Sequence, residues 1–427
     1  MKLAIIGAGA IGVTTAYELS QSGHEVTVFE RRQTAAEEAS FSSGGLISPG
    51  WLALHMGALE SVRSLFPGPA GGSGLRLNRL PSGQELQWLW RSLRSGRASQ
   101  AASQLIGNHQ LTSYSQQRLW TLTAELQLEY DHCQELLVLL RSARDSAQAA
   151  ASLPLMRELG IGFKEIPGDQ IHLLEPALST ETALHGAIQL TGDEAANCRQ
   201  FTLLLKSKAQ QLGCRFEFST QVEHLDSSGG VYLRTQPSTQ KDPGAGAAQR
   251  FDGAVVCTGA SSLGLLRPLG LVLPLQAVYG HAISAAVREP LDTPQAAVLD
   301  ARHGVSIVRM GQRIRVAGGS RLGETQGVKS KAELRRLYQV LSDWFPGAAR
   351  LGGGKDSVQE WQGAQAMTPD GSPVLGESGV PGVWLNLGHG AHGWAMACGS
   401  ARVLADLVQG QTPGIDVAAF GIQRFAR

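Results

Sequence analysis

The chain opens on a short apolar run, Leu3-Ala-Ile-Ile6, which predicts a strand buried on both faces. Residues 10–22 then carry Ile11, Thr15 and Leu19 at helical spacing, and Gly23 ends that helix. Glu25-Val-Thr-Val-Phe29 reads as a second strand. This strand–helix–strand opening predicts parallel strands with a helix packed against them. Residues 31–50 break the alternation, because Ser42-Ser-Gly-Gly-Leu-Ile-Ser-Pro-Gly50 is a loop of small residues. From 84 to 150 the spacings of Leu86, Leu89, Trp90 and Leu93, and later of Leu136, Leu137 and Leu140, predict mainly helix. A second unit follows, with a helix over 197–212, a strand over 215–219, a hairpin arm over 230–235 and a buried strand over 253–257. Residues 275–320 are strand-rich with a hairpin turn near Gly311, 331–345 are helical, and a last helix covers 394–408. The Gly- and Pro-rich stretches 67–74 and 236–248 predict exposed loops.

Length changes the picture first, since 427 residues are too many for one hydrophobic core and imply two domains. The formal net charge of +1 gives no clustered positive surface for a nucleic acid partner. Five scattered cysteines without a C-x-x-C pair predict neither a disulfide framework nor a metal site, and they fit a reducing compartment. The apolar start is too short and too glycine-interrupted for a signal peptide, and no apolar run is long enough to cross a bilayer. A cytoplasmic protein is expected, with docking on the inner membrane face left open.

Candidate chemistry begins at Gly7-x-Gly9-x-x-Gly12, which follows the first strand and opens the first helix. The first glycine permits a tight turn, the second lets the backbone approach a pyrophosphate, and the third lets helix pack on strand. Phosphate charge then meets the free N–H groups and dipole of the helix N-terminus at Ala10 and Ile11. Glu30 ends the second strand, where a carboxylate can bond a ribose hydroxyl. Arg31 and Arg32 read either as a 2′-phosphate site or as cations in solvent or over an adenine edge. The carboxylate beside them disfavours the phosphate.

Near the other end, Leu387-Gly-His-Gly-Ala-His-Gly-Trp-Ala-Met-Ala-Cys-Gly-Ser400 resembles the C-terminal flavin motif of the D-amino acid oxidase superfamily, with its nearest likeness among bacterial D-amino acid dehydrogenases. Ile47-Ser-Pro-Gly50, Leu174-Glu-Pro-Ala-Leu178, Arg313-Ile-Arg-Val316 and Met367-Thr-Pro-Asp-Gly371 agree in order, so the resemblance covers nearly the whole chain. It implies FAD, oxidation of a carbon–nitrogen bond with hydride passing to flavin N5, and hydrolysis of the resulting imine. It also implies an α/β (overall α+β) fold: a Rossmann-like FAD-binding domain from 1–80, 190–265 and 355–427, interleaved with a mixed-sheet substrate domain from 81–189 and 266–354. By the same resemblance, Ser42, Ser43, Gly44, Gly45 and Leu46 lie near the flavin or pyrophosphate, and Val222 meets the adenine. Thr258 and Gly259 let the chain turn beside the cofactor, and Gly363 lies close to it. Backbone N–H groups of Gly388, His389, Gly390, Ala391, His392, Gly393 and Trp394 would stabilise negative charge on the reduced ring. A quinone or other electron carrier is the implied acceptor.

One position departs from the pattern. The family usually anchors the substrate carboxylate with an arginine in W-x-G-x-R-P-M-T-P-D-G, and here Trp361-Gln-Gly-Ala-Gln365-Ala-Met-Thr-Pro-Asp-Gly371 offers Gln365 instead. Three readings stand: another cation takes over (Arg309, Arg315 or Arg321), the substrate has no free α-carboxylate, or ordinary turnover is lost. A flavoprotein subunit or maturation partner working on a carboxylate-free or protein-bound substrate is the alternative to a free-standing amine dehydrogenase. Tyr279 and His281, at the start of a strand lining the substrate side in this family, are further candidates for contact with a small amine or amino acid.

Overall fold

The computed structural model describes residues 1–41, 43–58, 74–95, 98–239, 247–352 and 357–425. The stretches 67–73 and 240–246, and Ser42, therefore lie outside the described residues.

The N-terminal apolar run forms the strand Lys2–Ile6, central in a six-stranded sheet. Glu25–Phe29 and then Arg215–Glu217 lie on one side of it. Gly253–Val256, Val383–Leu387 and Val374–Glu377 lie on the other, and all pairs are parallel except the last. The chain thus leaves the central strand in opposite directions, which opens a crevice at the carboxyl ends of these strands. Helices Ala10–Gln21, Cys198–Gln211 and Gly393–Val408 cover the sheet, with Leu3, Ile5, Val13, Phe201 and Leu404 in one core.

The helix Ala98–Leu126 belongs to this layer too, although its segment, 81–189, was expected in the substrate domain. Leu119 and Leu122 join the same core, and Arg118 makes a bidentate pair with the fully buried Glu18 at 2.7 and 3.1 Å. Burying an unpaired carboxylate would cost several kcal/mol, so this pair ties the helix to its place.

The second layer is a mixed ten-stranded sheet. It runs from Val358–Met367 through Gln276–Ala286, Arg313–Leu322, Val305–Met310, Ala297–Asp300, His132–Leu140 and Gly186–Ala196 to Leu46–Ile47. Two strands expected in the FAD-binding segments, 358–367 and 190–196, therefore pair here instead.

The stretch around Leu136, Leu137 and Leu140 is a strand and not a helix. Leu137 and Leu139 enter the core on one face, beneath the helix Lys331–Trp344, whereas Leu136, Val138 and Leu140 enter the core on the other. A strand buried on both faces shows no alternation, so its period cannot be told from that of a buried helix.

A small antiparallel sheet of Thr220–Asp226, Val231–Pro237 and Ala247–Phe251 completes the fold. The mixed α/β architecture expected from the sequence is the one observed, and the hairpin at Gly311 turns through φ +57°. Among the described residues no helix is long and apolar enough to cross a membrane.

Candidate active site

Two adjoining cavities of about 520 and 300 Å³ lie where the two layers meet. Ala10, Ile11, Ser40, Cys257, Gly259 and Trp361 border both, so together they form one elongated trough.

The larger cavity is built on the N-terminal turn. Gly7 adopts φ +104°, and a Cβ there would stand 2.8 Å from the Cys257 carbonyl oxygen. A Cβ at Gly12 would stand 2.9 Å from the Gly7 carbonyl carbon and closer still to its oxygen, so this glycine lets the helix pack on the turn. Gly9 caps the helix Ala10–Gln21 without a side-chain hydrogen bond, and its neighbour Ala10 donates its N–H to Ser40 Oγ at 3.0 Å. Gly7, Gly9, Ala10 and Ile11 face the cavity, so the positive end of the helix points into it.

Glu30 stands at the wall and accepts the N–H groups of Ala8 and Arg32, each at 2.8 Å. Burial pushes its carboxyl upward, and the two backbone donors oppose that shift. Arg31 lines the cavity but is bonded to Glu38 at 2.7 and 2.8 Å. Val222, Thr258, Gly259 and Gly363 also border it. A Cβ at Gly363 would fall inside the Trp361 ring, so the missing side chain lets that indole lie across the strand.

The smaller cavity is walled by Ser43, Gly44 and Leu46, and by the Gly388 to Trp394 loop that follows the strand Val383–Leu387 of the six-stranded sheet. Gly280, His281, Gly318, Gly319, Ser320 and Gln365 wall it from the large sheet. Gly388 and Gly390 take φ +82° and +56°, which bends the chain so that a helix starts at Gly393 beside the cavity. Gly45 does not line it. Its carbonyl instead accepts Trp394 Nε1 at 3.1 Å, locking the loop to the last helix.

His389 is fully buried against Ser400 Oγ at 3.2 Å, and burial pushes its pKa down to about 3, so the ring stays neutral. Burial likewise holds His281 at about 4. Its Nε2 lies 3.3 Å from Glu324, and its Nδ1 has no hydrogen-bond partner. Cys257 and Cys198, which border the trough, are pushed up to about 12 by burial and remain thiols.

The remaining substrate-side candidates fall elsewhere. Tyr279 lines neither cavity, although it lies two positions before His281 on the same strand. Arg309 is a correction to the expectation of a substrate contact: it lines neither cavity, and its guanidinium bonds the Gly311 carbonyl at 3.1 Å and Thr293 Oγ1 at 3.1 Å. Arg315 donates to the carbonyls of Phe41 and Ser43 at 3.1 and 3.3 Å, pinning the loop that walls the smaller cavity. Arg321 is engaged by Glu324, Glu333 and Asn78. Gln365 does face the cavity, and its amide lies across Gly280, where a Cβ would stand 3.2 Å from Nε2.

Sequence reasoning missed Ser40, Trp361 and the Ser48–Asp193 contact. Ser40 lies two residues before the small-residue run Ser42 to Gly50, with Phe41 between. Asp193 was not legible from the sequence. Its carboxylate accepts the N–H groups of Gly50 and Trp51 at 2.9 and 3.0 Å across 143 and 142 residues, and burial pushes it up to about 6.

These residues fit FAD. The trough is elongated, its larger end presents an uncapped helix N-terminus beside a carboxylate, and its smaller end is walled by a backbone loop at a second helix start. The comparisons agree. The model of the DAO family, described as FAD dependent oxidoreductase, matches residues 2–407. A D-amino acid dehydrogenase of Cereibacter sphaeroides is 36% identical over 432 residues, covering all of this chain and 96% of the relative. The corresponding enzyme of a second strain is also 36% identical, with 95% of it covered. In fold the chain is similar to glycine oxidase from Geobacillus kaustophilus, with a TM-score of 0.74, 21% identity, and 99% and 98% of the two chains covered. It is also similar to L-proline dehydrogenase from P. horikoshii, with a TM-score of 0.70, 18% identity, and 100% and 98% covered. With a helix-led dinucleotide trough at one end and a family match along almost its whole length, this chain belongs to the DAO family of FAD-dependent oxidoreductases.

Proposed function

We propose that the protein is an FAD-dependent dehydrogenase that oxidises the carbon–nitrogen bond of an amino acid derivative or related amine. The observation that carries this reading is the smaller cavity, where a backbone loop at a helix start faces a wall of the large sheet across a space for a small substrate. The full-length relatives named D-amino acid dehydrogenase support it.

In this reading Ala10 and Ile11 present backbone N–H groups to the pyrophosphate, Glu30 holds the ribose, and Val222, Thr258 and Gly259 enclose the adenosine end. Ser43, Gly44, Leu46 and the Gly388–Gly393 loop hold the ring end. Bound FAD supplies the two-electron acceptor, so that a hydride leaves the substrate carbon and the resulting iminium is hydrolysed by water to a carbonyl compound and ammonia or an amine. The protein's own contribution is orientation and exclusion of bulk water.

Burial keeps His281 and His389 neutral near pH 7, while His392 on the opposite loop also lines the cavity. Hydride leaves only a neutral amine, so reduction should accelerate with pH as the substrate amine loses its proton. Electrons would pass on to a quinone or carrier, in a cytoplasmic protein free to dock at the inner membrane face.

Anaerobic mixing of the holoprotein with D-amino acids, cyclic imino acids and their amides or esters tests this, read by flavin absorbance. Bleaching by at least one compound, with a rate rising with pH, is the expected result. No bleaching by any of them, in a flavin that dithionite still reduces, would remove the reading.

A further inference from the structure

Charge around the smaller cavity restricts what can bind beside Gln365. Among the described residues, its lining contains no lysine and no arginine. The polar groups on the large-sheet side are the Gln365 amide, His281 and the hydroxyls of Ser306 and Ser320. His281 is uncharged above about pH 4, so it adds no positive charge at neutrality.

Beside His281, Arg76, Arg321 and Arg336 form a cluster with Glu324 and Glu333. Arg321 spans both carboxylates, while Arg76 and Arg336 face Glu333. The cluster's one surplus positive charge is thus on arginines outside the cavity lining. Arg315 points to the carbonyls of Phe41 and Ser43.

An ionised carboxylate placed beside Gln365 on the large-sheet wall would lose water without gaining a guanidinium or ammonium partner, which is strongly unfavourable. A neutral amide loses far less, and Gln365 answers it in kind, since a carboxamide side chain carries both donors and an acceptor. Among the described residues, Gln365 spends neither on the protein.

We propose that the substrate carries a neutral carbonyl group, an amide or ester, in place of an ionised α-carboxylate, and that Gln365 selects it. This rests on the reading that the site oxidises a carbon–nitrogen bond. It names the substrate class for that site.

Matched pairs decide the matter: D-alanine against D-alaninamide, D-phenylalanine against its amide, and D-proline against D-prolinamide. Anaerobic flavin bleaching by the holoprotein gives kcat/KM for each, referred to the neutral-amine fraction, because amides and acids differ in amine pKa. The amide should exceed the acid by at least about tenfold. Gln365→Arg should restore a charge-assisted pair and shift the acid-to-amide ratio by about ten- to a hundredfold toward the acid. Gln365→Leu, which keeps the site neutral, should lower the amide by about tenfold and leave the acid weak. Flavin content of each variant reports folding.

A free acid equal to or better than its amide in the wild-type protein would overturn the inference and leave carbon–nitrogen oxidation standing. Bleaching by neither form, or by any other amine, would remove the underlying reading and this one with it.

Discussion

Gly7→Ala is the most direct probe of the cofactor site. Gly7 sits at φ +104°, a backbone conformation costing an L side chain roughly 1–2 kcal/mol. Its new Cβ would also stand 2.8 Å from the Cys257 carbonyl oxygen and 3.2 Å from the carbonyl carbon. Both are backbone atoms of a segment that follows a central strand, so neither can swing aside. Overpacking of this kind adds about 1–3 kcal/mol. Gly23→Ala provides the control, because Gly23 takes φ +82° but a Cβ there meets nothing within 4 Å. Urea unfolding of the apo forms should show Gly23→Ala losing about 1–2 kcal/mol and Gly7→Ala about 2–5 kcal/mol. The strain at Gly7 also displaces the helix start that faces the larger cavity, and one lost hydrogen bond to phosphate weakens binding about tenfold. Titration of each apo form with FAD, read by quenching of flavin fluorescence, should find Gly7→Ala at least that much weaker and Gly23→Ala unchanged. Equal stability losses in the two variants, together with FAD affinity within threefold of wild type for Gly7→Ala, would refute the reasoning.

Arg315→Met leaves the carbonyls of Phe41 and Ser43 without their charged donor, and should lose about 2–3 kcal/mol of stability and several-fold in FAD affinity. Unchanged flavin binding would show that the loop holds its shape unaided. The folded pKa of His389, about 3, lies below the usual 6.5 of the unfolded chain, so the unfolded state takes up the proton first and stability falls as pH drops from 6.5 toward 3. Unfolding free energies from urea titrations at pH 7 and pH 4.5 should differ by about 2–3 kcal/mol more in wild type than in His389→Asn, and identical pH dependence in the two would exclude a buried neutral histidine.

Legibility in the sequence followed the range of the interactions. The N-terminal fingerprint was readable because each glycine answers a local demand, a turn at Gly7 or a close packing at Gly12, within one strand–helix unit. The Gly388 to Trp394 loop was readable through its likeness to a family motif, and two positive-φ glycines there precede a helix start. The helix expected over 197–212 forms as Cys198–Gln211, with the Asn197 side chain accepting the Gln200 N–H. The strand His132–Leu140 was misread because burial on both faces removes the alternation that marks a strand. Tyr279 and His281 looked equivalent, two positions apart on one strand, yet only His281 lines the smaller cavity.

By itself, then, the sequence determined a dinucleotide fingerprint through residue type at fixed local spacing, and its resemblance to the D-amino acid oxidase superfamily implied FAD, the interleaved mixed fold and the departure at Gln365. Only the tertiary structure decided where the charges went. Arg309, Arg315 and Arg321 were interchangeable candidates along the strand-rich segment, and none of them lines the smaller cavity: Arg309 and Arg321 are engaged away from it, and Arg315 bonds carbonyls of the loop that walls it. Asp193 holds Ser48 and Trp51, which line the smaller cavity, from more than 140 residues away. A guanidinium's partner is set by which strands lie side by side and in what register, and pairings between distant segments leave no local pattern in the chain that makes them.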